Sequence, residues 1–225
     1  MSENIASEVT RVDQNKAIPA AKIANEEISS LPGGNAFLSN SESPITLAVL
    51  DSLEKRGELE EENLRDQLTG LYNRRYVDKL ITERENSESP KPIAVISCDL
   101  DHFKKVNDSY GHLAGDDVLK SVAEALLINT RVNDSVVRLG GEEFLILLDS
   151  VDDPAVAKSR AEDIRRAVKN TRIRANSEGK TINLEQTVSV GVSICRSEDD
   201  LSEKINTADV NLYKAKEGGR DKVVV

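Results

Sequence analysis

Three clusters of polar residues in this chain have types and spacings suited to phosphate chemistry. The first is Asp99-Leu100-Asp101, where two carboxylates follow directly on the apolar run from Ile93 to Cys98. Acids at the end of a buried strand are placed to meet a ligand. Their oxygens are the hard donors that Mg²⁺ takes, usually one or two from the protein with phosphates completing the shell. The second is Gly140-Gly141-Glu142-Glu143-Phe144, whose glycines admit a turn, or a close ligand approach, that a Cβ would block. A Glu on that turn and an Asp at the strand end could bracket a pair of metal ions, which stabilises attacking and leaving oxygens in nucleotidyl transfer. The third is Lys216 with Arg220 at a helix end, suited to a polyphosphate tail. Between the first two lie Lys104, a cation near the acids, and Asn107, His112 and Asp116. Asn107 and Asp116 can read a base or sugar edge. Each cluster also has a plainer reading: solvated loop acids, a tight hairpin with exposed acids, and an ordinary basic helix C-terminus.

Other chemistries find less support. Gly179-Lys180-Thr181 looks like the end of a phosphate-binding loop, but Arg174 stands where its first glycine belongs. His112 has only His102 as a second histidine, which suggests no zinc set. Cys98 and Cys195 fall in apolar runs and read as buried free thiols. The formal net charge of −10 argues against broad binding to nucleic acid or anionic lipid. No apolar run approaches the ~20 residues that cross a bilayer. The polar, acidic stretch from Met1 to Gln14 does not read as a signal peptide. The expected location is the cytoplasm.

The elements that position these groups follow from patterning. At 225 residues there is room for one ordinary domain and an appendage. With 3% aromatic residues and no Trp, its core is built from Leu, Ile, Val and Ala. Residues 1–17 read as a disordered tail and 18–65 as a helical stalk. Within the stalk, one helix runs from Ile18 to Leu31, stopped by Pro32-Gly33-Gly34. A second starts at Ser43-Pro44 and carries Leu47, Leu50, Leu53 and Leu64 on a narrow stripe. Such a stripe wants a partner helix, from the same chain, a second copy or another protein. Beyond Asp66 the patterns predict helices over 72–85, 115–129, 154–170 and 201–216. They predict strands over 93–98, 135–139, 143–148, 186–194 and 222–225. Counted from Ile93, the first six elements give the βαββαβ order of a ferredoxin-like sheet, an α/β fold.

Together these segments resemble the GGDEF domain family of bacterial diguanylate cyclases. The likeness rests on Asp66-Gln67-Leu68-Thr69-Gly70-Leu71-Tyr72-Asn73-Arg74-Arg75, on Asp99 through Lys104, and on Asn107-Asp108 and Gly111-His112 to Gly115-Asp116. It continues in Gly140 to Phe144, with Glu at the third signature position, and in Ala208-Asp209 to Lys216 and Gly219-Arg220. It covers residues 66–225. The resemblance implies a palm-like nucleotide cyclase fold and a homodimer that condenses two GTP into cyclic di-GMP and two pyrophosphates. It implies Mg²⁺, with Mn²⁺ as a possible substitute, held by Asp99, the Leu100 carbonyl and Glu142. Glu142 would also accept the 3′-OH proton, and Lys104 would stabilise phosphate charge. Asn107 and Asp116 would hold guanine, His112 would line the substrate pocket, and Lys216 and Arg220 would take the β- and γ-phosphates. Arg131-Val132-Asn133-Asp134, five residues ahead of the signature, matches the family's product-inhibition site. The further arginine often found on the next helix is replaced by Asp163 or its neighbour, with Arg160 or Arg166 as substitutes, which predicts weaker feedback. The family's output is motile-to-sessile (biofilm) signalling. A regulatory protein binding the N-terminal helices fits the need for a controlled dimer. The alternative is a non-catalytic cyclic di-GMP receptor or adaptor, a role usually accompanied by loss of the signature acids, which are intact here.

Overall fold

The computed structural model describes residues 52, 55–57 and 59–225. The expected tail over 1–17, the helix over 18–31 and most of the helix after Ser43 lie outside the described residues. Those described from 52 to 63 are helical. Contacts divide the chain between Leu64 and Arg65, and the unit from Arg65 to Val225 is described by itself.

That unit is a ferredoxin-like sheet with helices on both faces. In chain order it runs α1 (Arg74–Glu85), β1 (Ile93–Leu100), α2 (Phe103–Tyr110), α3 (His112–Ile128), β2 (Ser135–Gly140) and β3 (Glu143–Asp149). Then come α4 (Pro154–Asn170), β4 (Ile173–Ser177), β5 (Lys180–Leu184), β6 (Val188–Cys195), α5 (Leu201–Glu217) and β7 (Val223–Val224). The main sheet has the order β2-β3-β1-β6-β7. Its central β1 pairs antiparallel with β3 and β6, and β7 adds in parallel to β6.

Strand β1 is buried along all but its first residue because both of its faces are covered. Ala94, Ile96, Cys98 and Leu100 join Val118, Val122 and Leu126 of α3 and Ala161, Ile164 and Val168 of α4 in one core. Val95 belongs to a second core with Val77 of α1 and Leu201 and Ala208 of α5. The period of two therefore sends Asp99 to the α5 face. Both cysteines are buried and free, and burial pushes the Cys98 thiol far above its ordinary range.

Three details differ from the sequence reading. Helix α2 forms where the patterning predicted no element, and α3 begins at His112 rather than Gly115. Residues 173–184 make the separate two-stranded sheet β4–β5. Its turn is Glu178-Gly179, at φ 51° and 76°, between the paired Ser177 and Lys180. Positive φ at both central residues is what the tight primed hairpin turn demands, so Gly179-Lys180 serves a turn.

The segment before α1 lies along the outer edge of β2. The Tyr72 N–H donates to the Val136 carbonyl at 3.2 Å, and Arg138 N–H donates to the Tyr72 carbonyl at 2.8 Å. The Tyr72 ring stacks on Tyr76 at 3.6 Å and carries the Arg65 guanidinium 3.9 Å above its centre. Among the described residues, no helix is long and apolar enough to cross a membrane.

Candidate active site

Helix α5 sits directly on β6 because residue 191 is glycine. A Cβ there would stand 2.0 Å from the Ala208 carbonyl oxygen and 2.2 Å from the Leu212 nitrogen. Polar contacts then fix the helix. Ser97 Oγ donates to Asp209 at 2.6 Å, and Asn211 Nδ2 donates to the Val192 carbonyl at 2.9 Å. The C-terminal end of α5 thereby delivers Lys216 Nζ to within 2.8 Å of Asp99 Oδ2.

Asp99 is 6% exposed and lies opposite Glu143 on β3 and Ser189 on β6. Burial raises its pKa and the neighbouring Asp101 charge adds to that, while Lys216 and Arg220 oppose it. The Glu142 carbonyl accepts the Leu100 N–H at 3.3 Å, so the signature turn is fastened to the end of β1. The Glu142 carboxyl is also raised, first by burial and then by the Asp99 charge. A buried carboxylate whose charge disfavours that of a second one on the adjoining turn makes a pair that suits a divalent cation. No group of three or more metal-binding side chains occurs among the described residues. Mg²⁺ does not need one, since substrate phosphates supply the rest of its shell.

The turn itself is two residues, Gly141 and Glu142, between the paired Gly140 and Glu143. Gly140 and Gly141 have φ of 152° and 52°, and a Cβ on either would touch nothing within 4 Å. The glycines thus serve backbone conformation and leave open space beside the acids. The turn is also gripped by Arg138, a residue the sequence reading missed. Its Nε and Nη2 donate to the Gly141 carbonyl at 3.0 and 2.7 Å. Its Nη1 meets both oxygens of Asp66 at 3.0 and 3.2 Å. Asp66 also accepts the Thr69 N–H and hydroxyl at 2.9 and 2.6 Å. Burial pulls the Asp66 carboxyl up, but these bonds outweigh it and hold it below the ordinary range.

Asp101 has a different place from Asp99. It is 6% exposed, and its carboxylate accepts from Ser189 Oγ and Thr187 Oγ1, both at 2.7 Å, and from the Asp221 N–H at 3.0 Å. Its oxygens are engaged in joining β1, β6 and the loop after α5. Nothing in the sequence flagged Arg165, which pairs with Asp221 from 56 residues away. Only the spacing of Arg138 to the glycines could have pointed to its role.

The base-reading candidates gather on α2 and α3. Asn107 Oδ1 lies 2.0 Å from where a Cβ of residue 115 would stand, so Gly115 lets Asn107 approach α3 beside half-buried Asp116. Lys104 and His112 are exposed. Among the described residues, no hydrogen bond or ion pair joins them to the Asp99 group. Arg131 is exposed, while Asp134 is 5% exposed. The Asp134 carboxylate accepts the N–H groups of Arg131 at 2.7 Å and Asp149 at 3.2 Å. Arg160 reaches this loop, donating to the Asn129 carbonyl at 2.8 Å, whereas Arg166 is paired with Asp163 at 2.8 Å.

Comparison with known proteins gives a consistent picture. The family model "Diguanylate cyclase, GGDEF domain" matches residues 63–222. The probable diguanylate cyclase DgcT of Escherichia coli is 40% identical over 163 residues, 72% of this chain and 35% of that protein. This chain therefore spans about a third of that relative's length. The crystallised coiled coil and GGDEF domain of DgcB from Caulobacter crescentus, in complex with c-di-GMP, aligns at TM-score 0.69 and 26% identity. It covers 86% of this chain and 99% of its own. The diguanylate cyclase SiaD of Pseudomonas aeruginosa, in complex with its activator SiaC, aligns at TM-score 0.66 and 31% identity. It covers 99% of this chain and 87% of its own. The chain belongs to the GGDEF-domain family of diguanylate cyclases.

Proposed function

We propose that this chain condenses two GTP into cyclic di-GMP and two pyrophosphates. The observation that carries the reading is the buried Asp99 carboxylate, 2.8 Å from Lys216 and electrostatically coupled to Glu142 on the glycine turn. Asp99, the Leu100 carbonyl and Glu142 would hold Mg²⁺, or Mn²⁺ in its place. Bound there, the ion would polarise the reacting phosphate and acidify the attacking hydroxyl. Glu142, made more basic by burial and by Asp99, accepts the 3′-OH proton. Lys104 steadies charge on the phosphate. Asn107 and Asp116 hold the base: guanine presents N1 and N2 donors to a carboxylate, and adenine has no such pair. His112 lines the substrate pocket, and Lys216 and Arg220 take the terminal phosphates. One chain carries one set of these groups, so the reaction runs in a homodimer with one GTP on each protomer, in the cytoplasm where GTP is made.

Product inhibition is assigned to Arg131 and Asp134. Arg160 is the second arginine at that loop, because Asp163 already occupies Arg166. SiaD, which aligns along nearly all of this chain, was crystallised with an activator. By that parallel, the stretch 18–65, whose sequence predicts helices, is read as the seat of dimerisation and of a regulatory protein.

The test is purified protein incubated with GTP and Mg²⁺, with nucleotides resolved by chromatography. Cyclic di-GMP from the native chain and none from Glu142→Gln supports the cyclase. No product, with or without cell extract, alongside tight cyclic di-GMP binding, would sink it in favour of the receptor.

A further inference from the structure

The loop that follows α5 holds an unusual backbone. Gly219, Arg220 and Asp221 have φ of 105°, 63° and 43° in succession. Residues with a Cβ avoid this region, so two adjacent non-glycines there must be held by their surroundings.

The holding contacts come from three elements. From α5, the Ala215 carbonyl accepts the Arg220 N–H at 3.0 Å. From the end of β1, Asp101 accepts the Asp221 N–H at 3.0 Å. From α4, Arg165 and Lys169 both pair with the Asp221 carboxylate, the lysine at 2.6 Å. Arg165 is itself braced by Glu162 at 2.9 Å, and its side chain is only 16% exposed. A hydrogen bond between the Lys222 carbonyl and the Val190 N–H at 2.9 Å then feeds the chain into β7.

The hydrogen bond that Arg220 makes here is the backbone one to Ala215. What the conformation does is keep its charge acting on Asp99, next to Lys216. A chain with a net charge of −10 must offer a triphosphate its cations locally, and these two act on the acids. The backbone at Arg220 sets the direction in which its side chain leaves the loop, so holding that backbone holds the side chain's aim.

We propose that Arg165, with Lys169 in support, is a positioning residue for triphosphate binding. From the far side of the loop it clamps Asp221 and so aims Arg220 at the β- and γ-phosphates. Asp101 is the buried fulcrum of the same clamp. This rests on the reading that Lys216 and Arg220 receive those phosphates.

The experiment compares binding of GTP and GMP, in Mg²⁺, to the full chain carrying the Glu142→Gln change, which blocks turnover. The added variants are Arg165→Met, Arg165→Lys and Lys169→Gln. Calorimetry reads affinity and thermal melting reads folding. GMP lacks the phosphates that Arg220 would meet. The expected result for Arg165→Met is a GTP affinity lower by about tenfold, the worth of one charge-assisted phosphate contact, with GMP affinity unchanged. Arg165→Lys restores most of the loss, and the half-exposed Lys169→Gln gives a smaller loss of the same kind. Lys169→Gln carries the test even if Arg165→Met does not fold. Equal losses for GTP and GMP, or an unchanged preference for GTP in both Met and Gln variants, overturns the proposal. A parent that does not prefer GTP to GMP overturns instead the assignment of Lys216 and Arg220 on which it rests.

Discussion

Asp99 and Glu142 carry charges that the metal-free fold opposes. Both have folded-state pKa values raised above those of the unfolded chain. The native state therefore binds protons more tightly, and stability falls as pH rises from the unfolded carboxylate range through the folded values. Removing one of these charges should stabilise the apo-protein while ending turnover. Glu142→Gln in EDTA at pH 7 is expected to raise the melting temperature slightly, because solvent screens most of the opposing charge at this partly exposed site. The gain should be lost at a second, acidic pH below the ordinary carboxylate range, where the raised Glu142 carboxyl is already protonated in the folded chain. Scanning calorimetry at the two pH values checks this, and a gain that persists in acid would mean another cause. The Arg131 loop separates roles differently. Arg131→Ala, at an exposed site, should change stability by less than about 0.5 kcal/mol yet raise the cyclic di-GMP concentration needed for half inhibition. Asp134→Ala frees two N–H groups and should cost about 1–3 kcal/mol. Urea melts and inhibition curves on both variants distinguish the two. The chemistry-bearing acids were legible because they break apolar runs. Asp101 was not separable from Asp99 by sequence, since its partners Ser189, Thr187 and Asp221 arrive from 86 or more residues away.

At the scale of elements, the βαββαβ order was readable from periodicity because each strand and helix buries a regular stripe. The β4–β5 hairpin escaped because it alternates over only five residues a side and keeps few of them buried. Helix α2 escaped because its eight residues bury only Phe103. Neither has the long apolar face on which such reading depends. The α5–β6 contact was equally invisible, since nothing in Val190-Gly191-Val192 announces a helix backbone lying on the glycine. Gly191→Ala must push α5 outward, and overpacking of this kind should cost about 1–3 kcal/mol. It should also lengthen the Lys216–Asp99 approach and lower turnover more than melting temperature alone explains. Activity measured well below the melting point tests that. Normal turnover in a destabilised but folded Gly191→Ala protein would show that α5 has slack at its C-terminal end.

For the whole molecule, the proposed reaction between two bound nucleotides would make encounter of two chains part of the rate. Specific activity should rise with enzyme concentration until the dimer is filled. Deleting residues 1–60 should move that rise to higher concentration and leave the plateau rate per dimer unchanged. Turnover assays across a dilution series measure both, and an unchanged curve at low concentration would contradict a dimerising role for the N-terminal segment. The manner of encounter is constrained by the margins of the sheet. The Tyr72 backbone already occupies the outer edge of β2, and β7 on the other side is only two residues long. Exposed strand edges invite chains to zip together irreversibly, and short or covered ones prevent it. These margins therefore offer copies of this domain little continuous edge along which to fuse their sheets into one ladder. On the proposed dimer reading they would meet through side chains, in an association loose enough to be made and dissolved as a signal requires.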